Sequence, residues 1–423
     1  MPLNLFEHQQ RALDLTKDRK RVAYFLDMGL GKTYVGAEKM MQIGNETNIV
    51  VCQKSKITDW IEHFETNYPA KVFDLTKKLT DFMAFSDQKI GVINYDLIWR
   101  RKDFTKLKGF TLMLDESSEI QNASAKRTKF ILKLKADAAI LLSGTPVGGK
   151  YENLWSQLKL MGYDITKAQF DSMYVNWNTL DLADRRIKVV DKANPYKNVD
   201  RLKKKLHEHG AVFQKTEEVF TLPDQNFQVI KVPKPQGYDR FKKNSFLIKD
   251  GNEITGENSL TKLLGYRQLC GRWSKEKLEA VKDMIASTNE RLVIFYNFNA
   301  ELELLKELCG ERPVSEVNGS KHDLAAYEKD NDSITLVQYQ AGAKGLNLQK
   351  CCRIIYFTLP LSSENFEQSK KRIHRIGQDR PCFYYIPICQ GTIEMEIMRT
   401  LERKKDFTDD LFKGVENGSR KEF

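Results

Sequence analysis

The chain has little with which to build a metal centre or a disulfide framework. Its seven cysteines (Cys52, Cys270, Cys309, Cys351, Cys352, Cys382, Cys389) form no CxxC pair. They are therefore expected to be reduced, mostly buried thiols of a cytosolic protein, with no zinc site. No apolar run is long enough to span a bilayer, and the N-terminal MPLNLFEHQQRALDL has no apolar h-region. A soluble, cytoplasmic protein without a membrane partner is expected. Internal repeats and low-complexity tracts are missing too. So are blocks of one charge sign: 68 Lys+Arg outnumber 57 Asp+Glu, giving a net charge of +11, but the excess is spread along the chain. Such a balance suits a polyanionic partner and is weak evidence by itself.

What is present begins with size. At 423 residues and 41% hydrophobic content, the chain exceeds one ordinary core, and two domains are the expectation. Short apolar runs alternate with amphipathic stretches in both halves. The first half has VAYFL (22–26), NIVVC (48–52), KIGVIN (89–94), TLMLD (111–115) and AAILLS (138–143). The second has LVIFY (292–296), SITLVQ (333–338), RIIYF (353–357) and CFYYIPI (382–388). Two series of buried strands alternating with helices predict two α/β lobes, each built on a mostly parallel sheet. Between them, residues 150–218 read as a charged helical insertion with no clear strand pattern. Three of the eleven prolines fall within 219–237, where the junction is expected. The expected division is 1–222, 223–413 and a frayed tail over 414–423.

The chemistry starts after the first run. VAYFL leads into Asp-Met-Gly-Leu-Gly-Lys-Thr (27–33) and then a helical stretch. Strand, glycine turn and helix are the context a phosphate loop requires. Gly29 and Gly31 let the backbone approach phosphates, and the segment Met28, Gly29, Leu30, Gly31 offers its N–H groups at a helix N-terminus. Lys32 supplies a charge for the β- and γ-phosphates of a nucleoside triphosphate, and Thr33 a hydroxyl for Mg²⁺. Leu26 stands where the strict pattern has its first glycine. Further on, TLMLD ends in Asp115 followed by Glu116. At the carboxyl end of a parallel strand, Asp115 is placed to hold Mg²⁺ and Glu116 to take a proton from the attacking water.

These strings, with HQQRAL (8–13), IVVCQKSKITDWIEHF (49–64), VINYDLI (92–98), DESSEIQN (115–122), LLSGTP (141–146), ENLWSQLKLMG (152–162), VNGS (317–320), GAKGLNL (342–348), QSKKRIHRIGQ (368–378) and GTIEMEIMRTLERK (391–404), stand in one order. That series resembles the Swi/Snf-type branch of superfamily-two helicase-like ATPases over nearly the whole chain. The resemblance implies two RecA-like lobes, ATP bound in the cleft and DNA crossing both. It also implies an adenine contact from Gln9. Gly144, Thr145 and Pro146 match the motif linking hydrolysis to lobe movement. Gly345, Asn347, Gln368, Arg372 and Arg375 match the second lobe's share of the ATP site, with Arg372 and Arg375 as arginine fingers.

DNA contacts are implied for Lys54, Ser55 and Thr58 in the first lobe and for Tyr296, Asn297, Asn318, Gly319 and Lys344 in the second. Such residues suit phosphate binding without base reading. Trp60 and Phe64, four apart, read as core residues of a helix face rather than base stackers. The sequence departs from the family at Ser118 (usually His), Gln121 (usually Lys), Gly148 and Gly149, and has LPLSSENFEQ where Trp-Asn-Pro is usual. The leading expectation is an ATP-driven translocase on duplex DNA. The alternatives are a strand-separating helicase and a nucleic-acid-binding scaffold with a vestigial ATPase.

Overall fold

All nine apolar runs are strands in the computed structural model, which describes residues 4–182, 185–342 and 346–413. The chain divides into two units, one comprising, of the described residues, 4–219 and 406–413, the other spanning Phe220–Lys405. In the first unit lie β1 (Arg21–Leu26), β2 (Thr47–Cys52), β3 (Lys71–Asp74), β4 (Lys89–Asn94), β5 (Phe110–Asp115) and β6 (Ala138–Leu142). An antiparallel hairpin of β7 (Trp177–Leu182) and β8 (Arg185–Val190) comes next, then β9 (Ala211–Gln214). Apart from the hairpin, these strands make one sheet in the order β3-β4-β2-β5-β6-β1-β9, and every pair is parallel. The central strands are buried on both faces, which is why they read as continuous apolar runs rather than alternating ones. Leu142 pairs with both Tyr24 and Asp115, so β6 and β5 finish level and β1 runs two residues further, to Leu26, at the same end of the sheet.

The second unit contains β10 (Gln225–Val232), the hairpin β11 (Phe246–Lys249) and β12 (Asn252–Thr255), then β13 (Leu292–Tyr296), β14 (Val314–Val317), β15 (His322–Asp323), β16 (Ile334–Gln338), β17 (Arg353–Tyr356) and β18 (Cys382–Cys389). Its sheet runs β10-β18-β17-β13-β16-β14-β15, parallel except for β14 with β15. The β11–β12 hairpin turns Leu247 and Ile254 into a small core with Phe241, Leu269 and Trp273.

Two expectations change. Residues 150–218 carry the β7–β8 hairpin and the sheet strand β9 as well as helices. The hairpin strands WNTLDL and RRIKVV are largely exposed, and AVFQ is short, so neither presents an apolar run. The proline-bearing stretch 219–237 is not merely a connector: β10 lies inside it, at the edge of the second sheet with most of its residues exposed. The tail 414–423 lies outside the described residues.

All seven cysteines are free and buried. Cys270, Cys389 and Glu394 bring metal-ligand-type atoms within 4.8 Å of one another. Both Glu394 oxygens, however, accept from Lys277 Nζ, at 2.6 and 2.7 Å, and Oε2 also accepts from the Cys389 N–H. The cluster is thus organised around a buried ion pair. No helix among the described residues is long and apolar enough to cross a membrane. Lys277→Met, which strands Glu394 as an unpaired buried charge, should cost about 3–5 kcal/mol in urea unfolding of the second unit. Adding Glu394→Leu should recover most of that loss.

Candidate nucleotide-binding site

The phosphate loop leaves β1 at Leu26 and enters the helix Lys32–Ile43. Gly29 (φ 88°) and Gly31 (φ 74°) hold left-handed backbone that side chains rarely adopt. A Cβ on Gly31 would also collide with the Gln9 amide. Gln9 is buried; its Nε2 donates to Leu30 O at 3.2 Å and its Oε1 accepts from Phe6 N at 3.0 Å. The first-turn N–H groups of the helix, Lys32 and Thr33 among them, lack intrahelical acceptors and so face any anion seated there. The Lys32 ammonium rests on the carbonyls of Leu26 (3.0 Å) and Asp27 (3.3 Å). Asp27 shapes the loop entry by accepting from its neighbour's Met28 N–H at 2.9 Å. Gly144 comes close from β6: a Cβ there would sit 3.4 Å from Lys32 Nζ.

Asp115 ends β5 and accepts from the Trp60 indole N–H at 2.8 Å. Burial, and then the neighbouring Glu116 charge, push the Asp115 carboxyl up to about 6; the Trp60 bond and Lys32 pull it back. Trp60 is core, as its spacing with Phe64 indicates, but its polar edge has a use the spacing did not reveal. Glu116 holds φ 55°, unusual for a side-chain-bearing residue. The Tyr95 hydroxyl donates to the Asp115 carbonyl (2.9 Å) and lies 3.3 Å from that of Glu116. Two buried side-chain atoms here, Glu116 Oε2 and Thr145 Oγ1, have no hydrogen-bond partner among the described residues. A base, a hydroxyl, a lysine and a helix N-terminus at one sheet edge suit a magnesium-bound triphosphate and its attacking water.

The departures from the family pattern have structural partners. Ser118 is buried. Its neighbour Ser117 donates to Gln157 Oε1 (2.8 Å), and Gln157 Nε2 donates to Pro146 O (2.7 Å), joining the acid pair to the Gly-Thr-Pro turn. Gln121 Oε1 accepts from Asn153 Nδ2, which also donates to Val147 O, both at 2.8 Å.

In the second unit, Arg372 and Arg375 lie in turns beyond the helix Ser363–Lys370, not within it. Arg372 is buried and donates to Gln368 O (3.1 Å) and Leu346 O (3.0 Å). Arg375 is half-buried; its Nε has no partner among the described residues, and burial pulls its guanidinium pKa down. Gln368 is buried, with Nε2 on Glu364 and Oε1 unpartnered. Asn347 is exposed. Gly345 and Lys344 lie outside the described residues.

Of the remaining candidates for nucleic-acid contact, Lys54, Ser55 and Thr58 are exposed at the start of the helix Ile57–Asn67. Gly319 is exposed with open space about it. Asn318 braces its own turn by accepting from Ser320 N and Lys321 N. Asn297 spends its side-chain N–H groups on Thr358 and Leu359. Tyr296 is a correction: its side chain is 0% exposed in the core of the second sheet, which removes it from the solvent-facing set.

A family model for the SNF2-related domain matches residues 8–272, and one for the helicase conserved C-terminal domain matches residues 276–377. The putative ATP-dependent helicase/translocase YwqA of Bacillus subtilis is 25% identical over 431 residues, covering 91% of this chain and 46% of its own length. Human DNA annealing helicase and endonuclease ZRANB3 is 24% identical over 425 residues, covering 92% of this chain and 38% of its own length. The chain thus spans less than half the length of these curated relatives. The Sulfolobus solfataricus SWI2/SNF2 ATPase core, solved in complex with dsDNA, is 20% identical with a TM-score of 0.46, covering 97% of this chain and 93% of that one.

In the nucleotide-free protein the Asp115 carboxyl carbon should titrate by NMR with a midpoint of about 6, neutral below and charged above. Trp60→Phe keeps an aromatic ring but removes a donor that favours the charged form, so the midpoint should move to higher pH.

Proposed function

The chain belongs to the SNF2-related domain family, and from that premise we propose that it hydrolyses ATP to move along double-stranded DNA. The observation that carries this reading is the row at one end of the sheet: Lys32 on its loop, Asp115 at the end of β5 with Glu116 after it, and Thr145 after β6, with the Glu116 and Thr145 side chains each holding a buried polar atom without a partner among the described residues. Met28, Gly29, Leu30 and Gly31 cradle the phosphates, and Gln9 reads the base. Thr33 and Asp115 would hold Mg²⁺, which supplies positive charge to the β- and γ-phosphate oxygens. Glu116 accepts the proton of the attacking water.

Arg372 and Arg375 stabilise the charge that develops on the phosphoryl group, and Gly345, Asn347 and Gln368 complete their side of the site. One lobe comprises 1–222 and the other 223–413. Lys54, Ser55, Thr58, Asn318, Gly319 and Lys344 grip DNA phosphates, and Asn297 shapes the turn beside them. Phosphate contacts of this kind carry no sequence information, as a motor working on any sequence requires. A cytoplasmic location accords with this activity.

The test is ATP turnover titrated with duplex, single-stranded and forked DNA and with RNA. Duplex should stimulate most, and no stimulation by any DNA overturns the reading. Triplex displacement without displacement of a duplex strand is the expected translocase signature. Glu116→Gln should bind ATP yet lose turnover by 10²-fold or more, on the order of a missing general base. Arg375→Ala should keep nucleotide binding and lose roughly 10³-fold in hydrolysis. Lys54→Ala should lower DNA stimulation more than basal turnover.

A further inference from the structure

Thr216 belongs to none of the motifs above. It sits in the single turn Thr216–Glu218, just before the chain leaves the first unit at Val219. The strand before it, β9, runs parallel to β1 with Gln214 opposite Leu26, and Asp27 N donates to Gln214 O at 2.9 Å. Two residues further on, Thr216 reaches the phosphate loop. Its hydroxyl donates to Asp27 Oδ2 at 2.9 Å, its N–H lies 3.4 Å from the same oxygen, and its Oγ1 lies 3.3 Å from Met28 O. Thr216 is itself 1% exposed.

The chemistry makes this contact consequential. Asp27 is a carboxylate at the mouth of an anion site. Left to rotate, it would repel phosphate and compete for the Lys32 ammonium, which already rests on the Asp27 carbonyl. Held by Thr216 on one oxygen and by Met28 N–H on the other, it instead fixes the loop entry and is turned away from that role.

We infer that Thr216 is a positioning residue of the nucleotide site: its hydroxyl immobilises the Asp27 carboxylate so that Lys32 and the loop N–H groups stay available to phosphate. The inference rests on the proposed ATP site. MgADP binding by calorimetry to the intact chain tests it. Thr216→Val, nearly isosteric, should weaken MgADP about tenfold, the size expected for one hydrogen bond to a charged group. Thr216→Ser, which keeps the hydroxyl, should bind within about twofold of wild type. Asp27→Asn should make the Thr216→Val change nearly silent, because the charge that needs restraint is gone. A purely structural role would not show that coupling between the two positions. Equal MgADP affinity of wild type and Thr216→Val, or losses that simply add in the Asp27→Asn/Thr216→Val double variant, would overturn the inference alone. Failure of the wild type itself to bind MgADP would overturn the ATP-site reading, and the inference with it.

Discussion

The parallel register of three strands is the constraint on which the proposed nucleotide site depends. Because β1, β6 and β5 run the same way, the row Tyr24–Leu142–Asp115 ends their pairing together, and the segments that leave the three strands emerge at one edge. Those segments are a glycine loop, a Gly-Thr-Pro turn and a carboxylate pair. The register of these strands therefore sets the spacing of the groups that follow them.

Around that edge the electrostatics are arranged in opposition. Burial raises the Asp115 carboxyl while the Trp60 N–H draws it down. Lys32 is kept on backbone carbonyls rather than on a carboxylate, and Asp27 is held by Thr216 and Met28. Glu116 keeps an unusual backbone conformation and a buried oxygen without a partner among the described residues. Strained backbone and an unsatisfied polar atom cost stability, and a protein keeps them where a ligand or a reacting group uses them. The same pattern recurs in the second unit at Gln368 and Arg375, whose buried Oε1 and Nε also lack partners among the described residues.

Sequence alone made legible the features whose signal is contiguous. Nine apolar runs were readable because strands buried on both faces need no alternation. The Gly-Leu-Gly-Lys-Thr loop and the Asp-Glu pair were readable because their chemistry fits in a few consecutive residues. The strands β3 and β9 are short, and the edge strand β10 and the β7–β8 hairpin are largely exposed, so none of them presents a continuous apolar run. Tyr296 shows the converse failure. It lies next to a turn that suits phosphate contact, yet it is the last residue of β13, a strand buried on both faces, so its ring packs into a core.

The residues by themselves determined the class of fold and the glycine turn before the helix Lys32–Ile43, because these depend on apolar patterning and on local backbone permission. Tertiary structure alone decided that Trp60 holds Asp115, that Thr216 holds Asp27, and that Ser117 and Gln157 join the acid pair to Pro146. Those contacts span 55, 189, 40 and 11 positions of chain. A hydrogen bond depends on distance and direction in space, and only the folded sheet and the helices on it bring donors that far apart in sequence to their acceptors.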